Sequence, residues 1–129
     1  MATMSKVLLS GSTNGKAVQV TTTATDGTGD AGLSTANVIH RPVTGTSDID
    51  EIWIYANNTS TSAVKLTLEW GTTTADEGNI EQTIPAESGL SLIVPGLCLQ
   101  NGGASLEVRA FAGTADVILI TGYVNRITA

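Results

Sequence analysis

From Val64 to Trp70 the chain alternates strictly, with Val64, Leu66, Leu68 and Trp70 on one side and Lys65, Thr67 and Glu69 on the other. A period of two is the signature of a half-buried β-strand. Upstream, Ile52-Trp53-Ile54-Tyr55 is apolar on both sides, which predicts a strand covered on two faces or lying against a partner. Asn57 to Ser62 between them is polar and rich in side chains that satisfy their own backbone, so the two runs read as a β-hairpin. Shorter alternations follow the same rule. Val18, Val20 and Thr22 give a first strand, and Asn37 to Arg41 a second that Pro42 stops. Ile80, Gln82 and Ile84 give another, ended by Pro85. Leu90 to Val94 reads as a strand closed by the turn pair Pro95-Gly96. Leu106, Val108 and Ala110 alternate, and Val117 to Val124 is apolar on both faces at its start, as in a central strand. No stretch shows the i, i+3, i+4 spacing of an amphipathic helix. About eight short antiparallel strands predict an all-β protein, a single β-sandwich that is jelly-roll-like, with an Ig-like arrangement as the alternative. Residues 1–16, rich in Ser, Thr and Gly, read as a flexible N-terminal arm, and residues 17–129 as the sandwich domain. The Gly-rich run 26–32 reads as a loop.

Composition adds to this picture mainly through charge. The 129 residues suffice for one domain. Charged residues make up 14%, well below the usual quarter, and Ser, Thr and Gly take their place, which suits rigid β-structure or a subunit of a larger assembly. The net charge of −6 comes with six scattered cations, Lys6, Lys16, Arg41, Lys65, Arg109 and Arg126. Binding nucleic acid or an anionic membrane requires such groups to cluster, so neither partner is expected. No run approaches the roughly 20 apolar residues needed to span a bilayer, and Met1 to Ser10 has too short an apolar core for a signal peptide. Cys98 is the single cysteine, so there is no disulfide framework, which points to synthesis in a cytoplasm. Between Leu97 and Leu99 it reads as a small buried residue.

Several strings imitate catalytic or binding motifs. Gly27-x-Gly29-x-x-Gly32 matches a dinucleotide fingerprint, with Asp48 and Asp50 about twenty residues on, but no βαβ unit surrounds it. Gly11 to Ala17 resembles a phosphate loop, yet it is one residue short and Ala17 stands where a hydroxyl must be. Asn14-Gly15 within it reads as a tight turn. His40 is the only histidine; a Ser-His-Asp arrangement would need it with Asp48 or Asp50, and no nucleophile elbow is present. Zinc would want more His and Cys ligands than the chain offers. Asp48, Asp50 and Glu51, and Asp76 with Glu77, are carboxylate clusters with the composition for acid–base work or Ca²⁺, but they sit where solvated acids cap strands and turns. No catalytic residue, metal site or cofactor is therefore expected, and no enzyme. Trp70 is in register with core positions. Trp53 and Tyr55 share the face opposite Ile52 and Ile54; they read either as core or, better placed for it than Trp70, as a contact surface for protein or sugar.

The blocks Gly45 to Tyr55 and Ala63 to Gly71, with Ile84-Pro85-Ala86, Val94-Pro95-Gly96-Leu97 and Gly122 to Ile127, resemble small structural proteins encoded in the head genes of tailed bacteriophages. The resemblance spans roughly residues 45–127. It implies a capsid decoration (cement) protein that binds the outside of the expanded shell, with the major capsid protein as partner and a homo-trimer as its form. The implied location is the virion exterior after synthesis in the host cytoplasm. On that reading Trp53 and Tyr55, together with Lys6, Val7, Leu8 and Leu9 of the arm, form the interface, the arm adding a strand to the capsid protein. The alternatives are a carbohydrate-binding or adhesive module of a fibre, or a tail or neck component.

Overall fold

Alternating sequences fold here into nine strands among the described residues, which in this computed structural model are 2–23, 36–72, 77–102 and 106–129. The strands are β1 (Thr3–Leu8), β2 (Val18–Gln19), β3 (Asn37–His40), β4 (Gly45–Asn58), β5 (Val64–Trp70), β6 (Asn79–Ile84), β7 (Ser91–Asn101), β8 (Val108–Ala112) and β9 (Ile118–Thr128). Sheet A has the order β1-β9-β4-β7, with β2 also on β9, and sheet B the order β3-β8-β5-β6. All named pairs are antiparallel and nested: β1 and β2 with β9, β3 with β8, β4 with β7, β5 with β6. A long double strand wound into two sheets in this way is a jelly roll. The inward positions close one apolar core: Ile52, Ile54, Ala56, Ile118, Ile120 and Val124 from sheet A, and Val64, Leu66, Leu68, Ile84, Val108 and Ala110 from sheet B.

Three local expectations change. The run Ile52 to Trp70 is not a hairpin. Among the described residues β4 pairs only with β7 and β9, and β5 only with β6 and β8, so the chain crosses from one sheet to the other at the polar link. Asn58 builds that corner from a fully buried position. Its Nδ2 donates to the carbonyls of Ser62 (2.8 Å) and Ile84 (3.0 Å), while its Oδ1 accepts from Ser60 N–H and Oγ–H. Both apolar faces thereby meet across the core instead of lying side by side. The hairpin pattern and the arch pattern are identical in sequence, because each needs only two alternating runs and a polar link.

Residues 1–16 are not an arm throughout. Thr3–Leu8 lies along β9 in one-to-one register from Thr3↔Thr128 to Leu8↔Tyr123. Of its inward positions Thr3, Ser5 and Val7 only Val7 is apolar, as suits an edge strand with five of six residues exposed. Asn14 and Gly15 then turn with positive φ, and Lys16 N–H donates to Thr13 O, the tight turn the sequence suggests. Pro95-Gly96 does not end β7 either. The strand runs through it, because β7 is the free edge of sheet A and a missing N–H there leaves no ladder bond broken. Gly96 takes up the register shift opposite Ile52 and Trp53 with φ +82°.

Candidate functional site

Strand alternation decides which side chains leave the core. On β4 the even positions Ile52, Ile54 and Ala56 turn inward, so Ile49, Glu51, Trp53 and Tyr55 turn outward. The cross-strand register then assembles rows on the outward face of sheet A. One row reads Leu8, Tyr123, Trp53, Pro95 across β1, β9, β4 and β7; the next reads Lys6, Asn125, Glu51, Cys98; Met4, Ile127 and Ile49 form a third. Tyr55 has Thr121 and Leu92 beside it.

Tyr123 and Trp53 stack, with centroids 6.0 Å apart and planes 11° from parallel. Lys6 Nζ, reaching in from β1 on the other side of β9 from β4, lies over the Tyr123 ring 4.6 Å from its centroid. Beyond Trp53, a Cβ on Gly96 would lie 2.9 Å from its Cζ2, so glycine is what lets β7 approach the indole. Trp53 Nε1–H donates to Glu51 Oε1 (2.8 Å), which also accepts from Asn125 Nδ2–H (3.0 Å). These two hydrogen bonds hold the Glu51 carboxyl below its usual range. Ammonium, phenol and indole thus form a cross-strand ladder. Around it are exposed apolar side chains, Met4 at 63%, Leu8 at 54% and Leu92 at 45% exposure, while Leu97, opposite the inward Ile52, is exposed at the β7 edge. Ile49, Cys98, Leu99, Gln100, Gly102 and Leu106 line a hollow of about 460 Å³ at one end.

The sequence-proposed interface residues divide. Trp53, Tyr55, Lys6 and Leu8 come together on this face. Val7 packs against the core and Leu9 is 2% exposed within it, so neither presents a contact surface. Alternation along β1 separates them, which reading 1–16 as an arm hides. Tyr123 was missed, although a register of β4 against the last strand would have placed it. Cys98 is exposed, not buried, because the shift at Gly96 carries it to the outer side of an edge strand.

A second polar arrangement lies inside. His40 on β3 of sheet B and Asp50 on β4 of sheet A are both fully buried, with Nε2 and Oδ2 2.8 Å apart. Arg126 on β9 grips the same carboxylate with Nε to Oδ1 (2.8 Å) and Nη2 to Oδ2 (3.0 Å), and Val43 N–H donates to Oδ2. Ser10 N–H donates to His40 Nδ1 at 3.0 Å. Nδ1 is therefore the acceptor and Nε2 carries the proton, so a neutral imidazole donates to Asp50. Burial lowers the His40 pKa and outweighs the opposing pull of Asp50. Burial pushes Asp50 upward, but the hydrogen bonds from Arg126 and His40 outweigh it and hold the carboxylate below its usual range. Arg126 is correspondingly raised by its hydrogen bond to Asp50.

A Ser-His-Asp relay needs the second imidazole nitrogen to face a hydroxyl, whereas here it faces a backbone amide. What this arrangement can do is tie the two sheets together. Strand alternation also scatters the acid cluster. Asp50 points inward, Glu51 outward, and Asp48 accepts from Ala129 N–H at the sheet end. Asp76 and the string Gly27 to Gly32 lie outside the described residues, and among those described no group of three metal-ligating side chains occurs. No protein-family model, curated protein or solved structure matches the chain.

Proposed function

We propose that this protein is a structural subunit that docks on a large protein assembly through the outward face of sheet A. The assembly that best suits it is the expanded shell of a tailed phage, with the major capsid protein as partner. The observation that carries this reading is the ladder Lys6–Tyr123–Trp53 set among exposed Met4, Leu8 and Leu92. Rigid aromatic anchors bordered by aliphatic side chains are the composition of an interface centre. A protein that binds only the assembled shell stabilises it by the free energy of that binding. The jelly roll hosts both capsid and sugar-binding domains, so the fold alone favours neither. The ladder favours protein: a sugar needs an open ring face, while Tyr123 already has Lys6 over its ring and Trp53 stacked beside it.

The test is co-sedimentation with unexpanded and expanded shells, using wild type and the exposed-face variants Leu8→Asp and Leu92→Asp. Saturable binding to expanded shells, lost in both variants, is the expected result. Absence of binding to either shell overturns the reading, and quenching of tryptophan fluorescence by oligosaccharides would replace it with the adhesive one.

A further inference from the structure

We propose that β1 is a pairing edge for a second copy of this chain, two copies joining antiparallel at their β1 strands into one continuous sheet. Any edge strand carries a row of outward N–H and C=O groups that can template another strand, and folded proteins usually blunt it. Among the described residues, three of the main edges are blunted. β7 contains Pro95 and shifts register repeatedly. β3 has four residues with a register shift between Val38 and His40, and Pro42 follows. β6 is stopped directly by Pro85, and Glu81 stands on it with 36% of its side chain still exposed beside Lys65. β1 has none of these devices. Its six residues run in unbroken register and contain no proline. Its single charge, Lys6, would ordinarily guard the edge, but its ammonium is drawn across the sheet onto the Tyr123 ring, 4.6 Å from the centroid.

The sequence of β1 fits itself. A two-fold axis normal to the sheet pairs residues on the same face, so it can pass through Ser5 or Lys6 but not between them. Centring on Lys6 opposes two ammonium groups, which is unfavourable. Centring on Ser5 sets Ser5 against Ser5, Thr3 against Val7 and Met4 against Lys6 of the second copy. Met4, 63% exposed in one chain, then gains the aliphatic stem of a lysine as cover. The pair places two Trp53–Tyr123 ladders on one shared sheet, facing the same way. This form is two-fold, in contrast to the trimer that the family resemblance implies.

Sedimentation of the full chain tests the proposal, with twice the 13.2 kDa chain mass expected. A monomer or a trimer overturns it. The register is tested by charge at position 4, which is too exposed for either change to perturb the fold. Met4→Lys opposes Lys6 of the second copy at two symmetric contacts and should weaken the dimer by about threefold or more, and Met4→Glu should tighten it by a similar factor. Shifts in the same direction for both variants overturn the Ser5-centred pairing. In a Cys98→Ser background, Ser5→Cys should oxidise to a disulfide-linked dimer, since directly opposed antiparallel residues lie within disulfide reach; failure to cross-link while the chain is dimeric also overturns that pairing.

Discussion

On β4 the outward positions are Glu51, Trp53 and Tyr55; on β5, the next strand in the chain, they are Lys65, Thr67 and Glu69. Inward, the two strands are interchangeable, Ile52, Ile54 and Ala56 against Val64, Leu66 and Leu68, all buried. The sheets therefore share a core and differ in what they show. Sheet A presents a stacked indole and phenol, a cation on the ring and aliphatic side chains around them. The outward face of sheet B carries ion pairs, Lys65 with Glu81 and Glu107 with both Arg41 and Arg109. Its middle is already closed: Thr67, Glu69 and Phe111 are outward in register yet at most 2% exposed. One face is finished within the chain and the other is left open, and an open apolar face on a rigid sheet is where binding energy is available.

The link between the sheets sets the largest expected effect. Asp50→Ala leaves His40 without its acceptor in the interior and the partly exposed Arg126 without its carboxylate, and breaking this largely buried pair should destabilise by about 3 kcal/mol. Urea denaturation at pH 7 measures it, and an unchanged midpoint would show that the bridge contributes nothing. The same bridge gives a pH dependence with a definite sign. In the folded protein the pKa of His40 lies below the ordinary imidazole value of 6.5, so the unfolded chain takes up protons first as pH falls. The stability from keeping His40 neutral is complete above about pH 6.5 and declines below it. Asp50, lowered from 3.8, adds a further loss in more acidic solution, as its carboxylate protonates. Stability should thus fall from pH 7 to pH 5 in wild type, with a flatter profile over that interval in His40→Gln.

Next in size is Gly122, beneath the ladder. A Cβ there would lie 2.0 Å from the Trp53 carbonyl oxygen, so Gly122→Ala must push β9 from β4 and should cost about 1–3 kcal/mol. It should also disturb the stacked rings, visible as a loss of near-ultraviolet circular dichroism from tryptophan. Trp53→Ala acts on the open face itself. It removes a half-buried indole and its stacking partner's contact, for about 1–2 kcal/mol of stability, and should abolish shell binding at a concentration where the fold remains intact. Retained binding would move the docking surface away from sheet A.

How much of this contrast the sequence carries depends on distance along the chain. Strand periodicity is local, so Ile52 to Tyr55 and Val64 to Trp70 declare themselves, and Trp53 and Tyr55 fall on the face opposite Ile52 and Ile54, though whether that face is core or surface does not. Which sheet a strand joins is not local. The crossing at Asn58 depends on a side chain that reaches Ile84 O, 26 positions on, and no periodicity encodes that. Tyr123 meets Trp53 only once β9 has paired with β4. His40 stands ten residues from Asp50 but 86 from Arg126 (126 − 40), and only nested jelly-roll pairing joins all three. The edge strand β1 was concealed for a different reason: an exposed edge needs little hydrophobicity, so its sequence looks like that of a tail.

The smallest effect tests the comparison from its quiet side. Lys65 and Glu81 pair across β5 and β6 with 40% and 36% of their side chains exposed. Water and salt screen such a pair, and measured exposed pairs are worth about 0.2–1 kcal/mol. Lys65→Ala, Glu81→Ala and the double variant form a cycle whose coupling should fall in that range and shrink in high salt, because the attraction is Coulombic and solvent-exposed. Shell binding by all three should match wild type, since nothing they remove lies on sheet A. If Lys65→Ala weakened binding as strongly as Trp53→Ala, both faces would touch the partner, and the distinction between a finished and an open face would fail at its most lightly stabilised point.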